Sequence, residues 1–409
     1  MAEPTALAQT PPAMAELRLA ARAACGDELV DLSRSEPLPI PIAPACAARV
    51  QEEFMRARLY APPAGLSVAR DAVARYMSAA TGHEIGADRV AIAAGAMQGI
   101  SISLRALVEP GSEVLVPVPY FHAHPKQVAM LGSEPRFVDV RARRGVVTAE
   151  AIERELSPRT RALLLCNPAN PAGVVLGREA LEQILAVLPP SVAVIADEVY
   201  AEYLYEGAFA SMLGLVAEED AGREVVVVNT ASKTAGMPGW RVGSAVGSPG
   251  LAPRLGRASA TLSGAPSTPA QLAYAAWLDE PPEVERMAPY RPRLRETLAA
   301  LGDAGLSVRP PDGTYYVWAG LGAGDDAPGP GAGAGGGSAA AGIGAPERVL
   351  EAARATGALV WPGALFGDLQ SVRISLSVPR RDLREGVTRL ADSWREVQPN
   401  DVPISRSGS

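Results

Sequence analysis

Lysine is rare in this chain. Lys126 and Lys233 are the only two among 38 Lys plus Arg, so 38 − 2 = 36 cations are arginine. Arginine stays protonated in proteins, whereas a buried lysine amine can lose its proton. Only the neutral amine attacks a carbonyl and forms a Schiff base. Lys233 lies in "TASKTAGMPGWRVG" (Thr230–Gly243), a Gly/Ser/Thr-rich turn, and is a candidate covalent residue. A lysine left over by compositional bias is the competing explanation, and other residues must decide. "CNPANPAG" sets Asn167 and Asn170 in a proline-stiffened turn. "IADEVYAEY" puts Asp197 at the end of an apolar run, with Tyr200 three residues on. Arg241 follows Lys233 by eight. Singly, each has a bland role: a turn, a helix cap, a surface cation.

These groups need elements to position them. Apolar runs predict strands at Val90–Gly95, Val114–Pro119, Arg161–Asn167, Val192–Asp197 and Glu224–Asn229. Helical patterns such as "MQGISISLRALV" and "REALEQILAVL" lie between them. Continuous apolar strands imply a sheet covered on both faces. Their alternation with helices predicts an α/β fold with a mostly parallel sheet. Ligands in such sheets sit at the carboxyl ends of strands, where Asn167, Asp197 and Asn229 fall.

Composition narrows the function classes. With 409 residues the chain has room for two or three domains. A net charge of −7 without a basic run argues against a broad nucleic-acid surface. No apolar run is long enough for a membrane span, and the N-terminus lacks the pattern of a secretory signal. Cys25, Cys46 and Cys166 are too scattered for a disulfide framework or zinc cluster. His83, His122 and His124 are too few for a histidine-based metal site. A cytoplasmic location is expected. The Gly/Ala-dominated stretch 320–345 and the tail 397–409 are expected to be disordered, because neither can bury enough apolar surface.

Together the polar residues fit one cofactor, pyridoxal 5'-phosphate. It requires a lysine for its aldehyde, an anion at its pyridinium nitrogen, donors at its ring oxygen, and cations with backbone N–H groups for its phosphate. Lys233, Asp197, Tyr200 with Asn170, and Arg241 supply these in turn. "GAMQGISISLRAL" adds a helix start whose N–H groups can face a phosphate. On "YAPPAG" with "ARDAVARY", "VEPGSEVLVPVPYFHAHP", "NPANPAG", "ADEVYAEY", "SKTAGMPGWRVG", "PDGTYYVW", "WPGALFG" and "VRISLS", the chain resembles a fold-type-I class I/II aminotransferase of the aspartate aminotransferase superfamily. The resemblance runs from about Asp31 to Leu390.

That resemblance implies a large cofactor domain over 45–285, with a mostly parallel seven-stranded sheet sandwiched by helices. It implies a smaller α+β domain from 31–44 and 286–396, and a partly disordered N-terminal arm over 1–30. It gives Lys233 the aldehyde and later the proton, and Asp197 the ring nitrogen. Tyr200 and Asn170 take the ring oxygen, with Asn170 also beside substrate. Thr230, Arg241 and the backbone at Ala96 and Met97 take the phosphate. Phe121 stacks on the ring, with His124 behind the aspartate. Arg373 clamps the substrate α-carboxylate, with Ser35 nearby. Tyr60 reaches the phosphate of a neighbouring subunit, which implies a homodimer with a shared active site.

Three departures bear on substrate and reaction: the Gly-rich insert falls in the small domain, which closes over substrate in this family, and two others are single residues. Ser35 stands where the family usually has glycine, and Met97 replaces a polar or cationic residue of several members. The expected reaction moves an amino group from an α-amino acid to a 2-oxo acid, with a neutral or apolar donor. A lyase, cyclase or oxidase on the same scaffold would share the docking residues. A DNA-binding regulator is not expected, since the resemblance begins near Asp31.

Overall fold

The computed structural model describes residues 14–42, 44–53, 55, 58–216, 223–320 and 345–397. The Gly-rich stretch expected over 320–345 and the tail expected over 397–409 lie almost wholly outside the described residues, as do positions 1–13 of the N-terminal arm.

The central sheet has seven strands: β1 (Val90–Ala93), β2 (Glu113–Val118), β3 (Glu134–Asp139), β4 (Thr160–Cys166), β5 (Ala193–Asp197), β6 (Val225–Thr230) and β7 (Gly243–Gly247). Their spatial order is β1-β7-β6-β5-β4-β2-β3, and all pairings are parallel except those of β7. Alternate residues serve opposite faces. Leu115, Leu163, Leu165, Val194 and Val227 join one buried cluster, whereas Val114, Val116, Leu164, Ile195 and Val228 join another. Helices cover both sides, so the period-two pattern disappears into continuous apolar runs, as the sequence predicts for five strands.

The sequence missed β3 and β7, each for a physical reason. β3 is an edge strand, and only Val138 along it is buried, so "EPRFVD" carries little apolar signal. β7 is "GSAVG", short and made of small residues. Its Gly243 cannot carry a side chain, because a Cβ there would come within 2.4 Å of Asn229 O. That close approach seats β7 beside the end of β6.

A second core lies beside the sheet. Four antiparallel strands, Ser307–Val308, Tyr316–Gly320, Trp361–Pro362 and Ser371–Ser375, form its sheet. Val30–Asp31 pairs in parallel with Ala358–Leu359. Helices Tyr290–Asp303, Pro346–Thr356 and Arg380–Val397 flank these strands. The helix Met14–Cys25, within the stretch expected as a separate arm, buries Met14, Leu17 and Ala21 in this same core. The candidate site lies where the strand ends of the large sheet meet the tyrosine-rich edge of the second core.

Candidate active site

Lys233 follows β6 in a four-residue helix, Ala231–Thr234. Thr230 starts that turn. Its Oγ1 accepts from the Ser232 N–H at 3.2 Å, and its hydroxyl donates to Val242 O at 3.1 Å. The Lys233 Nζ donates to the Ser35 carbonyl and lies 3.0 Å from the Tyr315 hydroxyl. Burial lowers the amine's pKa, and Arg373 lowers it further, against an opposing pull from Tyr316. Desolvation favours the neutral form of a lysine, the form a nucleophile needs.

Asp197 ends β5 and is buried. His124 Nε2 lies 3.1 Å from Asp197 Oδ2, and His124 is only 1% exposed. His124 therefore sits in the interior, where the motif's spacing puts it behind the aspartate. Phe121 meets the His124 ring edge-on, with centroids 5.3 Å apart.

A second group of residues forms an anion cradle. Gly95 begins the helix Gly95–Leu107 at φ +79°. A Cβ built there would come within 3.1 Å of Arg241 Nη2 and 3.7 Å of Thr230 Oγ1. Glycine thus leaves open the space that the arginine, the threonine and the helix start surround. Arg241 sits in the left-handed region at φ +51°, held where its Nη1 donates to Pro238 O at 2.9 Å. First-turn N–H groups, here those of Ala96 and Met97, have no acceptor within a helix. A cation, a hydroxyl and a helix N-terminus around a glycine gap suit a phosphate.

The third part comes from the second core. Arg373 is buried, with its guanidinium 4.0 Å from the Tyr316 ring centroid and 4.8 Å from that of Trp361. Its Nη1 donates to Asn170 Oδ1 at 2.9 Å and its Nη2 to Ser35 Oγ at 3.1 Å. Its Nε is buried and has no hydrogen-bond partner among the described residues. Asn170 Nδ2 lies 3.4 Å from the Tyr200 hydroxyl, which lies 3.1 Å from that of Tyr316. Burial raises the Tyr200 pKa. It also pushes Tyr316 up, but Lys233 and Arg373 outweigh it and hold Tyr316 below the usual range.

Twelve of the thirteen expected residues therefore fall in or around one site. Tyr60 is the exception: at 104% exposure it has no cover from the described residues of its own chain. Met97 is also partly open, at 39%. Sequence reasoning missed Ser232, Tyr315, Tyr316, Trp361 and His122. Ser232 sits between two residues already singled out, and "TYY" was a visible pair. His122 stacks on Trp361 at 5.0 Å. Burial, aided by Arg373, pushes its pKa down to about 3, so it stays neutral at physiological pH.

Fold and site together define a pyridoxal-phosphate-dependent enzyme of the fold-type-I architecture. The chain belongs to the aminotransferase class I and II family, whose profile matches residues 27–390. It is 31% identical over 340 residues to the aspartate/prephenate aminotransferase of Thermus thermophilus, covering 81% of this chain and 82% of that protein. It is 28% identical over 346 residues to the aspartate aminotransferase of Streptomyces avermitilis, covering 83% and 82% of the two chains. The solved Thermus thermophilus aspartate aminotransferase with maleate superposes with a TM-score of 0.81 at 28% identity, over 96% of this chain and 99% of that one. The chain is an aminotransferase that uses pyridoxal 5'-phosphate. Among the described residues, no helix is long and apolar enough to cross a membrane.

Proposed function

We propose that this enzyme transfers the amino group of a neutral or apolar α-amino acid to a 2-oxo acid, with roles set by the geometry above. The observation that carries the reading is the convergence of the Lys233 amine, the His124-backed Asp197 carboxylate and the Arg373 guanidinium on one site. Bound cofactor supplies an electron sink. Lys233 Nζ holds the aldehyde and afterwards moves the substrate proton. Asp197 would hold the ring nitrogen, and His124 Nε2 fixes one of its carboxylate oxygens. Tyr200 and Asn170 would bond the ring oxygen, and Phe121 would cover the ring. Arg241, Thr230 and the N–H groups of Ala96 and Met97 hold the phosphate. Arg373 would offer the remaining N–H groups of its guanidinium to the α-carboxylate, a fork that arginine alone presents. Ser35 Oγ and Asn170 Oδ1 fix the plane of that fork.

The donor preference rests on Met97, an apolar thioether in the first turn of the phosphate helix, and on Phe121 and the uncharged His122 nearby. A side-chain carboxylate desolvated there without a partner would be strongly disfavoured. The names of the Thermus and Streptomyces relatives favour a second reading, an aspartate donor, which would need a cation for the side-chain carboxylate, from Lys126 near His122 or from a second subunit. Comparing kcat/KM for aspartate, glutamate, alanine, leucine and phenylalanine decides between them. An acidic donor ahead by tenfold, about 1.4 kcal/mol, overturns the neutral preference.

The working unit is a homodimer with a shared site, in the cytoplasm. Ile42, Met55, Leu59 and Tyr60 are all exposed, and a second copy would cover them and bring Tyr60 to the neighbouring phosphate. Sedimentation that finds a fully active monomer refutes the shared site.

A further inference from the structure

The catalytic lysine has a neighbour that the mechanism above leaves unused. Tyr315 is wholly buried, and its ring stacks on Tyr290 with centroids 5.4 Å apart and planes at 16°. Its hydroxyl lies 3.0 Å from Lys233 Nζ and 2.9 Å from Ser35 O. Three donors converge on that one carbonyl: Lys233 Nζ, the Tyr315 hydroxyl, and the Tyr316 hydroxyl at 3.2 Å. A carbonyl oxygen offers two lone pairs, so the three cannot all be served at once. The Tyr316 hydroxyl has a second partner in that of Tyr200 at 3.1 Å, and the Lys233 amine, with up to three N–H groups, can serve both Ser35 O and the Tyr315 oxygen.

The backbone supports a built arrangement. Thr314, just before Tyr315, sits at φ +66° and is completely buried. A β-branched residue in the left-handed region is strained and persists only where its surroundings dictate it. Here the Thr314 N–H donates to Tyr203 O at 2.7 Å, and the Tyr203 hydroxyl donates to Lys233 O at 2.8 Å. The turn that aims Tyr315 is thus tied through Tyr203 to the main chain of Lys233 itself.

We infer that Tyr315 is a positioning residue for Lys233. With the Ser35 carbonyl, its hydroxyl holds the free amine whenever the lysine is not covalently engaged, and so fixes where that amine waits to take or return the substrate proton. The hydroxyl stays protonated because burial raises its pKa. It accepts from the charged amine, and hydrogen bonds to charged groups are the stronger ones. Its removal therefore weakens the charged form of Lys233 more than the neutral form.

The two-lysine composition makes this directly measurable. In full-length protein freed of cofactor, brief acetic anhydride labelling across pH gives a midpoint for Lys233, with Lys126 as internal reference, read by peptide mass spectrometry. Tyr315→Phe deletes one oxygen and leaves the ring stack in place, and a thermal melt checks the fold. Its Lys233 midpoint is expected to fall by roughly half to one pH unit, with Lys126 unchanged. In the loaded enzyme, kcat is expected to fall roughly tenfold while KM for the donor stays within about twofold. Tyr290→Phe, which deletes the hydroxyl of the stacked ring, should move neither value. An unchanged Lys233 midpoint, an unchanged kcat, or an equal shift in Tyr290→Phe overturns the assignment. The inference rests on Lys233 being the aldehyde lysine, and that reading fails separately. If pyridoxal phosphate does not protect Lys233 from labelling in wild-type protein, the lysine assignment falls, whatever Tyr315→Phe does.

Discussion

The two halves of the site are built differently. The cofactor half stands on the ends of adjacent strands: Asp197 ends β5, Thr230 ends β6, and Lys233 and Arg241 follow within eleven residues of Thr230. Backbone ladders on both sides hold those strands, and their flanking residues are buried. The substrate half is assembled from distant pieces. Ser35, Asn170, Tyr315, Tyr316 and Arg373 meet through side-chain contacts that span up to 338 residues of sequence. The first half inherits its geometry from the sheet. The second depends on how the second core packs against the first, so changes there should alter substrate handling before they alter cofactor retention.

The largest expected effect breaks the cofactor half. Lys233→Arg keeps the cation but cannot attack a carbonyl. Turnover should drop by roughly a thousandfold or more, and borohydride should no longer fix cofactor mass to the chain. A reducible attachment that survives in this variant would end the assignment. Asp197→Ala should keep some cofactor yet lower kcat by a similar order, about a thousandfold, since the ring nitrogen loses its counter-charge. Steady-state kinetics beside the cofactor absorbance separate binding from turnover.

Arg373→Lys tests the other half. It retains charge and loses the fork, which should lower kcat/KM by about 2–3 kcal/mol, or roughly 30- to 150-fold. The cofactor spectrum should be unaltered. If that spectrum shifts as it does for Asp197→Ala, the two halves are coupled more tightly than their construction implies. His124→Asn should cost less, roughly three- to tenfold in kcat, the size of one ordinary hydrogen bond. A loss as large as that of Asp197→Ala would make His124 more than a support.

The smallest effect concerns stability. Glu198, beside Asp197, is buried and accepts from the Met212 N–H at 2.7 Å. Burial pushes its pKa up to about 8 from 4.5. The folded state therefore holds a proton that the unfolded state has released. Stability falls as pH rises from about 4.5 to about 8 and is flat beyond, so far as this group is concerned. Glu198→Gln should flatten that decline, so its melting temperature relative to wild type should rise between pH 5 and pH 8.5. Parallel melting curves across that range would refute the buried proton.

Much of the cofactor half was legible because its residues are local. Asp197 and Thr230 end apolar strands, and Asn170, Tyr200, Lys233 and Arg241 follow such strands within a few to eleven residues, and strand signal plus turn chemistry marks such positions. Phe121 and His124 were placed by motif, but only the structure buries His124 against Asp197. The substrate half was legible in Arg373, Ser35 and Asn170, and silent about Tyr315 and Tyr316, which pack around them. The fold reads the same way. Five buried strands announce themselves through apolar runs, while the exposed edge β3 and the small-residue β7 do not.

The sequence by itself determined the chemistry available: one lysine suited to an aldehyde, an aspartate for the ring, a cradle for the phosphate, and an alternating α/β pattern to carry them. Tertiary structure decided which groups share an atom. Lys233 and Ser35 are 198 residues apart in the chain, yet the amine donates to that carbonyl. Tyr315 and Tyr316 reach the same oxygen across 280 and 281 residues. Local periodicity reports burial and turn propensity, which depend on near neighbours. The convergence of three donors on a carbonyl with two lone pairs depends on the packing of two cores, and no short stretch of sequence contains it.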